Sequence, residues 1–266
     1  MNKEITIGIP FYSETNQLQL ETAVNSIVNQ TIEPKLIHLI QDGPVNKSLK
    51  KLVEDYDKKY PNIKILELPK KGLPYALNQS IELANTKYYA RMDSDDISFN
   101  SRLEKQIKFL EENPSIDILG TWAIEFENNI LEKGFINKKP DSEKKIFEYF
   151  HYMNPLIHPS VVFRMSVFGK IGLYNEKFYT AQDLELWSRA LKNKIKISNI
   201  QEPLLYYRVD GRNKRRSSFP AILRQIKARY ALKTFSIKLN ILKLSSIILR
   251  LLPGRIKDWA YKNLRN

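Results

Sequence analysis

No cysteine occurs among the 266 residues of this chain. That excludes a disulfide framework, a thiolate zinc site and a cysteine nucleophile, and makes a reducing, cytosolic compartment the simplest expectation. No secretory leader is expected either: Met1 to Pro10 has neither a basic start nor an apolar stretch and reads directly into a strand. No run of about 18 apolar residues appears, so no ordinary helix is expected to cross a bilayer. The nearest candidate, residues 241–252, is interrupted by Lys243, Ser245, Ser246 and Arg250, a pattern that suits a buried or interfacial helix. There is no internal repeat and no low-complexity segment.

The last shortage is local. From Arg208 to the end there are sixteen lysines and arginines but only two acids, Asp210 and Asp258. The tail therefore carries the whole formal net charge of +14, and residues 1–207, with 27 basic and 27 acidic groups, are neutral. The chain divides at that point into a neutral domain, 1–207, and a basic tail, 208–266. With 42% apolar and 27% charged residues the balance is that of a globular protein rather than a disordered or fibrous one.

Short apolar runs alternate with helical periodicity through the first half, the signature of βαβ units and a mainly parallel sheet in an α/β fold. Strands are expected at Ile5–Pro10, Leu36–Gln41, Ile63–Leu68 and Lys87–Met92. Helices are expected at Leu20–Gln30, Ser48–Lys59, Leu73–Ala84 and Arg102–Glu112, the last stopped by Asn113-Pro114. Beyond it, Ile116–Phe126 and Ser160–Arg164 read as strands, Ser142–His151 and Leu184–Lys192 as helices, and Ile195–Ser198 as a last short strand. Ligands of open parallel sheets sit beyond the carboxyl ends of the strands. The acids to watch are therefore Asp42, after the second strand, and Asp93, Asp95 and Asp96, after the fourth.

Met92-Asp93-Ser94-Asp95-Asp96 packs three carboxylates into four positions. Such groups repel and raise one another's pKa unless a cation holds them, and hard oxygen ligands suit Mg²⁺ or Mn²⁺. In an extended segment residues 93 and 95 share a side and can face one metal. The plainer alternative is a solvated acidic turn with Asp96 capping the next helix.

The acidic run is one of several motifs in a fixed order. Ile9-Pro10-Phe11-Tyr12 follows the first strand, Gln41-Asp42-Gly43 the second, and 71–78 (KGLPYALN) opens a helix. Ala90-Arg91-Met92-Asp93-Ser94-Asp95-Asp96, His158-Pro159-Ser160 and Gln182-Asp183-Leu184-Glu185-Leu186-Trp187 come after them. From residue 5 to about 208 this set resembles family 2 glycosyltransferases with the GT-A fold, whose sheet is mainly parallel and flanked by helices. The resemblance implies that Pro10, Phe11 and Tyr12 line a nucleotide pocket, that Asp42 accepts a hydrogen bond from uracil, and that Gly72 and Asn78 border the nucleotide and its sugar. It makes Asp93-Ser94-Asp95 the DxD element, with Asp93 and Asp95 holding the Mn²⁺ or Mg²⁺ that bridges the two phosphates, and Asp183 the catalytic base of an inverting transfer. It further implies a UDP-sugar donor and a lipid-linked saccharide acceptor, with work at the inner face of a bacterial plasma membrane in O-antigen or capsule assembly. The closest patterns add a β-1,3-linked hexose to an N-acetylhexosaminyl diphosphate lipid.

Chemistry supports those roles separately. Departure of a diphosphate builds negative charge that a metal neutralises, and an attacking hydroxyl must lose its proton to a carboxylate opposite the leaving group. By position alone, at a helix start, Asp183 would be a cap. His158 is either a core-edge residue or an acceptor contact, and His38, inside an apolar strand, is structural. Trp187 either packs or stacks on a sugar, and Glu185 supports rather than reacts. The N-x-S/T matches at Asn29, Asn46 and Asn78 carry no meaning in a cytosolic protein. Many relatives place a histidine after a Tyr-Arg pair, where Tyr207-Arg208-Val209-Asp210-Gly211 has aspartate. Either Asp210 contacts the metal or the contact is lost and Arg212, Lys214 or Arg215 supplies the charge.

For the tail, apolar and basic residues interleave from Phe219 to Leu252, the composition of an anchor on an anionic membrane surface. A helix packed on the catalytic domain is the first alternative. A nucleic-acid patch ranks last, because no recognisable motif accompanies the charge, so no nucleic-acid partner is expected. Two other function classes remain to be weighed. A sugar nucleotidyltransferase needs a Gly-rich, basic loop after the first strand, and Pro10 to Glu14 is neither; a non-catalytic binding module would fail to bind UDP.

Overall fold

The computed structural model describes residues 4–127, 130, 134–209 and 218–251. Strand β1 (Ile5–Phe11) leads through α1 (Gln17–Val28) to β2 (Leu36–Asp42), then through α2 (Lys47–Lys59) to β3 (Ile63–Leu68). Helix α3 (Leu73–Leu83) carries the chain back across the sheet to β4 (Tyr88–Arg91). Asparagine side chains start the first two helices: Asn16 accepts from the Gln19 N–H at 3.2 Å and Asn46 from the Leu49 N–H at 2.9 Å. Such caps satisfy backbone donors that have no partner within the helix. They explain why α1 opens three residues before the apolar periodicity does.

These four strands are parallel, in the order β3-β2-β1-β4. The first crossover steps to one side of β1 and the third returns to its other side. The carboxyl ends of β1 and β4 therefore flank a topological switch point, where an open sheet leaves a crevice.

A second block of strands extends the sheet past β4. It consists of β5 (Ile97–Ser98), β6 (Ile118–Phe126), β7 (Phe135–Asn137), β8 (Val162–Arg164) and β9 (Ile197–Arg208). Its order is β8-β6-β9-β5 with β7 on β6, and every pairing is antiparallel except that of β6 with β9. Between these strands run α4 (Arg102–Glu112), α5 (Glu143–Phe150), α6 (Ser166–Ile171) and α7 (Gln182–Lys192), and a single 3₁₀ turn at His158–Ser160. The sheet is thus parallel around the switch point and mixed beyond it.

β9 corrects the expectation of a four-residue strand at 195–198. It runs twelve residues, through Gln201-Glu202-Pro203, because the β6–β9 register shifts around Trp122. An irregularity of that kind tolerates a proline that cannot donate to a ladder.

Each face of the sheet has its own core. Ile5, Ile7, Ile9 and Phe11, alternating along β1, pack with Leu20, Val24, Leu49 and Leu103 from α1, α2 and α4. On the other face Leu77, Tyr89, Phe150, Phe163 and Trp187 join α3, α5 and α7 to the sheet. Gly8 permits the close approach of the two layers there: a Cβ at that position would lie 1.9 Å from the Tyr89 hydroxyl.

The tail is not detached. Helix α8 (Phe219–Ala231) packs on α7, and α9 (Ile237–Leu251) packs on α8. Arg229 is buried and donates to the Phe150 and Met153 carbonyls at the end of α5, and buried Lys243 donates to the Leu232 carbonyl at the end of α8, at 3.0 Å. Both cations thus meet the partly negative carboxyl ends of helices. Between them His151 is fully buried, and neither ring nitrogen has a hydrogen-bond partner. Burial, then the nearby Lys243 and Arg229, push its pKa down to about 4.

Candidate active site

Register fixes which side chains share the crevice. Phe11 pairs with Gln41 across β1 and β2, and the Met92 N–H donates to the Gly8 carbonyl at 3.1 Å. The turn after β4 therefore rises beside Ile9 and Pro10. There Asp93, Asp95 and Asp96 each offer a carboxylate oxygen, all within 4.8 Å of one another. Asp93 and Asp95 are half-buried and Asp96 fully buried.

Beneath the carboxylates lies a layer of arginines that the sequence reading did not assign. Arg91, closing β4 with its side chain buried, forms an ion pair with Asp93. Burial opposes its charge, but Asp93 outweighs that and holds the guanidinium above its ordinary pKa. Arg102 is fully buried; it donates to the carbonyls of Arg91 at 3.1 Å and Pro159 at 3.2 Å. Burial pulls its pKa to about 10 against the attraction of Asp96, with Arg91 adding to the drop. Arg208, the last residue of β9, donates its backbone N–H to Asp96 at 2.8 Å and its Nε–H to the Asp95 carbonyl at 3.1 Å. Asp96 is therefore a tie to β9 and not a helix cap. The available signal was Arg91 itself, a cation inside an apolar strand, which must have a partner.

The donor set fits a divalent metal. Oxygen ligands at about 2.0–2.1 Å from Mg²⁺ stand roughly 3–4 Å apart, and these carboxylates need small side-chain adjustments to reach that. Asp93 and Asp95 would hold the ion, with Arg91 occupying part of Asp93 and Arg208 steadying the turn.

The expected nucleotide residues divide into two kinds. Pro10, Tyr12 and Ser94 are half-buried around the crevice. Phe11 is 1% exposed in the core of β1 and α1, which corrects its expected place in the pocket lining: alternation along β1 turns it away. The Asp42 carboxylate accepts the N–H groups of Lys71 at 2.8 Å and Gly72 at 3.1 Å, so it moulds the loop entering α3. Gly72 has φ +95° there, a conformation that L side chains rarely adopt. The Asn78 amide is engaged at both ends, donating to the Tyr174 carbonyl at 2.9 Å and accepting the Tyr174 N–H at 2.9 Å. It braces α3 against the segment before α7.

Asp183 lies in the first turn of α7 and accepts from the Asn154 amide at 2.5 Å. The helix begins at Ala181, which takes the left-handed conformation at φ 60° and whose carbonyl accepts the Glu185 N–H at 3.0 Å. A non-glycine residue held there costs about 1–2 kcal/mol, and such strain gathers at working sites. Glu185 chelates Arg189 at 2.8 and 2.9 Å, and Arg189 in turn grips the carbonyls of Ile171, Gly172 and Leu173. Tyr174, buried next to that loop, shares a hydrogen bond with His158 at 2.7 Å. Burial pushes its hydroxyl pKa well up; Arg91 opposes the shift and Asp183 adds to it. The hydroxyl thus feels both Arg91 and Asp183.

Two alternatives resolve toward structure, and His38 is structural as expected. His158 is buried against Tyr174 and Trp187, Trp187 is fully buried and stacked on Phe163, and His38 is buried on Ser80 at 2.9 Å, burial lowering its pKa. Asp210, Arg212, Lys214 and Arg215 lie outside the described residues.

An acidic turn at the switch point of an α/β sheet, with a carboxylate in the first turn of a later helix, is the arrangement expected of a nucleotide-sugar transferase with the GT-A fold. The profile of glycosyl transferase family 2 matches residues 6–172, and the chain belongs to that family. It is 31% identical to the Escherichia coli UDP-Gal:alpha-D-GlcNAc-diphosphoundecaprenol beta-1,3-galactosyltransferase over 98% of this chain and 96% of that one. It is likewise 31% identical to the amylovoran biosynthesis glycosyltransferase AmsE of Erwinia amylovora, over 98% of each chain. Among solved structures, S. aureus TarS 1-349 in complex with UDP superposes with TM-score 0.68 at 17% identity, covering 97% of this chain and 75% of that one. The mannosyltransferase PcManGT of Pyrobaculum calidifontis, in complex with GDP-Man and Mn²⁺, gives 0.61 at 12% identity, over 98% of this chain and 84% of that one. These two share the fold. The chain is a glycosyltransferase.

Proposed function

We propose that this glycosyltransferase moves a hexose from a UDP-sugar, with inversion, onto a saccharide diphosphate lipid at the inner face of a bacterial plasma membrane, forming a β-1,3 linkage in surface polysaccharide assembly. What supports the reading is the acidic turn Asp93–Asp95 after β4 together with Asp183 in the first turn of α7, Tyr174 lying within electrostatic reach of both Arg91 and Asp183. Similarity over nearly the full length to a transferase named for a diphosphoundecaprenol acceptor supports the substrate class.

In this reading Pro10 and Tyr12 flank the nucleotide and the loop shaped by Asp42 and Gly72 closes over its base. Asp93 and Asp95 would hold Mn²⁺ or Mg²⁺, which when bound would neutralise negative charge on the departing diphosphate. Arg91, paired with Asp93, aims it. Asp183, oriented by Asn154, takes the proton from the acceptor hydroxyl as it attacks the anomeric carbon from the opposite side. The domain division at residues 207 and 208 is part of the same reading: catalysis in the first part, attachment in the second.

A screen of UDP release across several UDP-hexoses, with a synthetic N-acetylhexosaminyl diphosphate lipid as acceptor, tests it. Acceptor-dependent release with one donor is expected. Pyrophosphate release from UTP and a sugar phosphate would point instead to a nucleotidyltransferase.

A further inference from the structure

We propose that the outer face of α9, with Phe235 at its foot, is the surface by which this protein lies flat on an anionic lipid bilayer. This deepens the reading above, on which it rests only for the reason to dock. Ile237, Ile241, Leu244, Ile248 and Leu251 follow one another at spacings of four and three, the repeat of a single helical stripe. Each is at least half exposed, and Phe235 is entirely so. The opposite edge of the helix, Leu239, Lys243 and Ser246, is buried against the rest of the chain. Packing on α8 is thus satisfied by one edge while a continuous apolar stripe faces outward, more than scattered surface residues require. At 1.5 Å per residue the fifteen residues of α9 reach about 22 Å, too short to span a bilayer, and no helix among the described residues is long and apolar enough to cross one.

Charge selects the occupant. Residues 218–251 contain seven lysines and arginines and no acid. Arg229 and Lys243 are buried on helix ends, whereas Arg224, Lys227, Lys233 and Lys238 remain at the surface. A second copy of the chain would bring one basic tail against another, and a nucleic acid would match the charge but leave the stripe in water. An anionic lipid surface satisfies both, its head groups meeting the cations and its acyl boundary the stripe. The mounting is firm: Arg224 of α8 stands 5.5 Å from the Tyr179 ring and donates to Thr180 at 3.4 Å, just ahead of Asp183.

Flotation of the full chain tests this, with vesicles of phosphatidylcholine and phosphatidylglycerol in equal parts and with phosphatidylcholine alone. The variants are Ile241→Asp with Leu244→Asp, and Lys233→Glu with Lys238→Glu, all at exposed positions. The unaltered protein is expected to float with the anionic vesicles only, and both double variants to stay at the bottom while transferring sugar normally to a short-chain, water-soluble acceptor. Failure of the unaltered protein to float, flotation of the stripe variant, or a dimer in solution that the stripe variant abolishes would each overturn the proposal. Flotation as expected, without transfer from any UDP-sugar, would leave the docking surface standing and remove the catalytic reading.

Discussion

Single residues at the crevice divide into those that act and those that aim. Asp95→Ala removes half of the metal pair and should cut transfer by roughly 100-fold or more; full activity of the unaltered protein in chelator, measured as UDP release, would refute the metal role. Asp183→Asn keeps an oxygen for the Asn154 contact but cannot take a proton, so turnover should vanish while calorimetry still detects UDP-sugar binding. Arg91→Met leaves Asp93 without its buried cation. Losing one partner of a buried pair costs about 3–5 kcal/mol; with Asp93 partly open to solvent and screened, about 2 kcal/mol is expected, read as a drop in denaturation midpoint. The clustering of these acids is legible because three carboxylates within four positions after a strand must lie close together, as they do. The arginines beneath them are not legible, since a sequence shows a charge but not its depth. Phe11 shows the converse: its motif put it at the pocket, and the pleat of β1 turned it into the core.

At the scale of elements, the boundaries that periodicity could define were placed well, as with β3 and α4, which the structure matches residue for residue. β9 outruns the short strand expected at 195–198 and continues through Pro203, a residue that cannot donate to a ladder. The strand survives there through a register shift on its neighbour, which no local pattern announces. The loop between β3 and α3 has a single conformational weak point, Gly72. A methyl there would meet Tyr179 at an ordinary 3.5 Å, so the penalty of Gly72→Ala is backbone strain, about 1–3 kcal/mol. The shift of Lys71 and Gly72 off Asp42 should raise KM for the UDP-sugar more than it lowers kcat.

For the whole molecule, the basic tail was legible as composition, but its partition was not: part of it is built into the catalytic body and part faces outward. Cutting the chain near Leu205 would remove the end of β9 and uncover α7, so the expected result is an unstable fragment rather than a soluble enzyme. Acid should reveal the same junction. His151 titrates at about 4 when folded against 6.5 ordinarily. Between those values the unfolded chain binds a proton that the folded one refuses. Stability should therefore fall as pH drops from about 6.5 toward 4, by up to about 3 kcal/mol. His151→Leu should flatten the midpoint of thermal unfolding between pH 7 and 5, and an unchanged slope would remove the histidine as its cause.

The carbonyl ends of α5 and α8 that hold Arg229 and Lys243 give ionic strength two separate targets. Screening acts on exposed charges and far less on buried contacts, so salt sufficient to break surface attraction leaves those two cations in place. Raising salt should therefore strip the enzyme from lipid before it loosens α8 and α9 from the body, and lowering it again should restore a protein that never came apart.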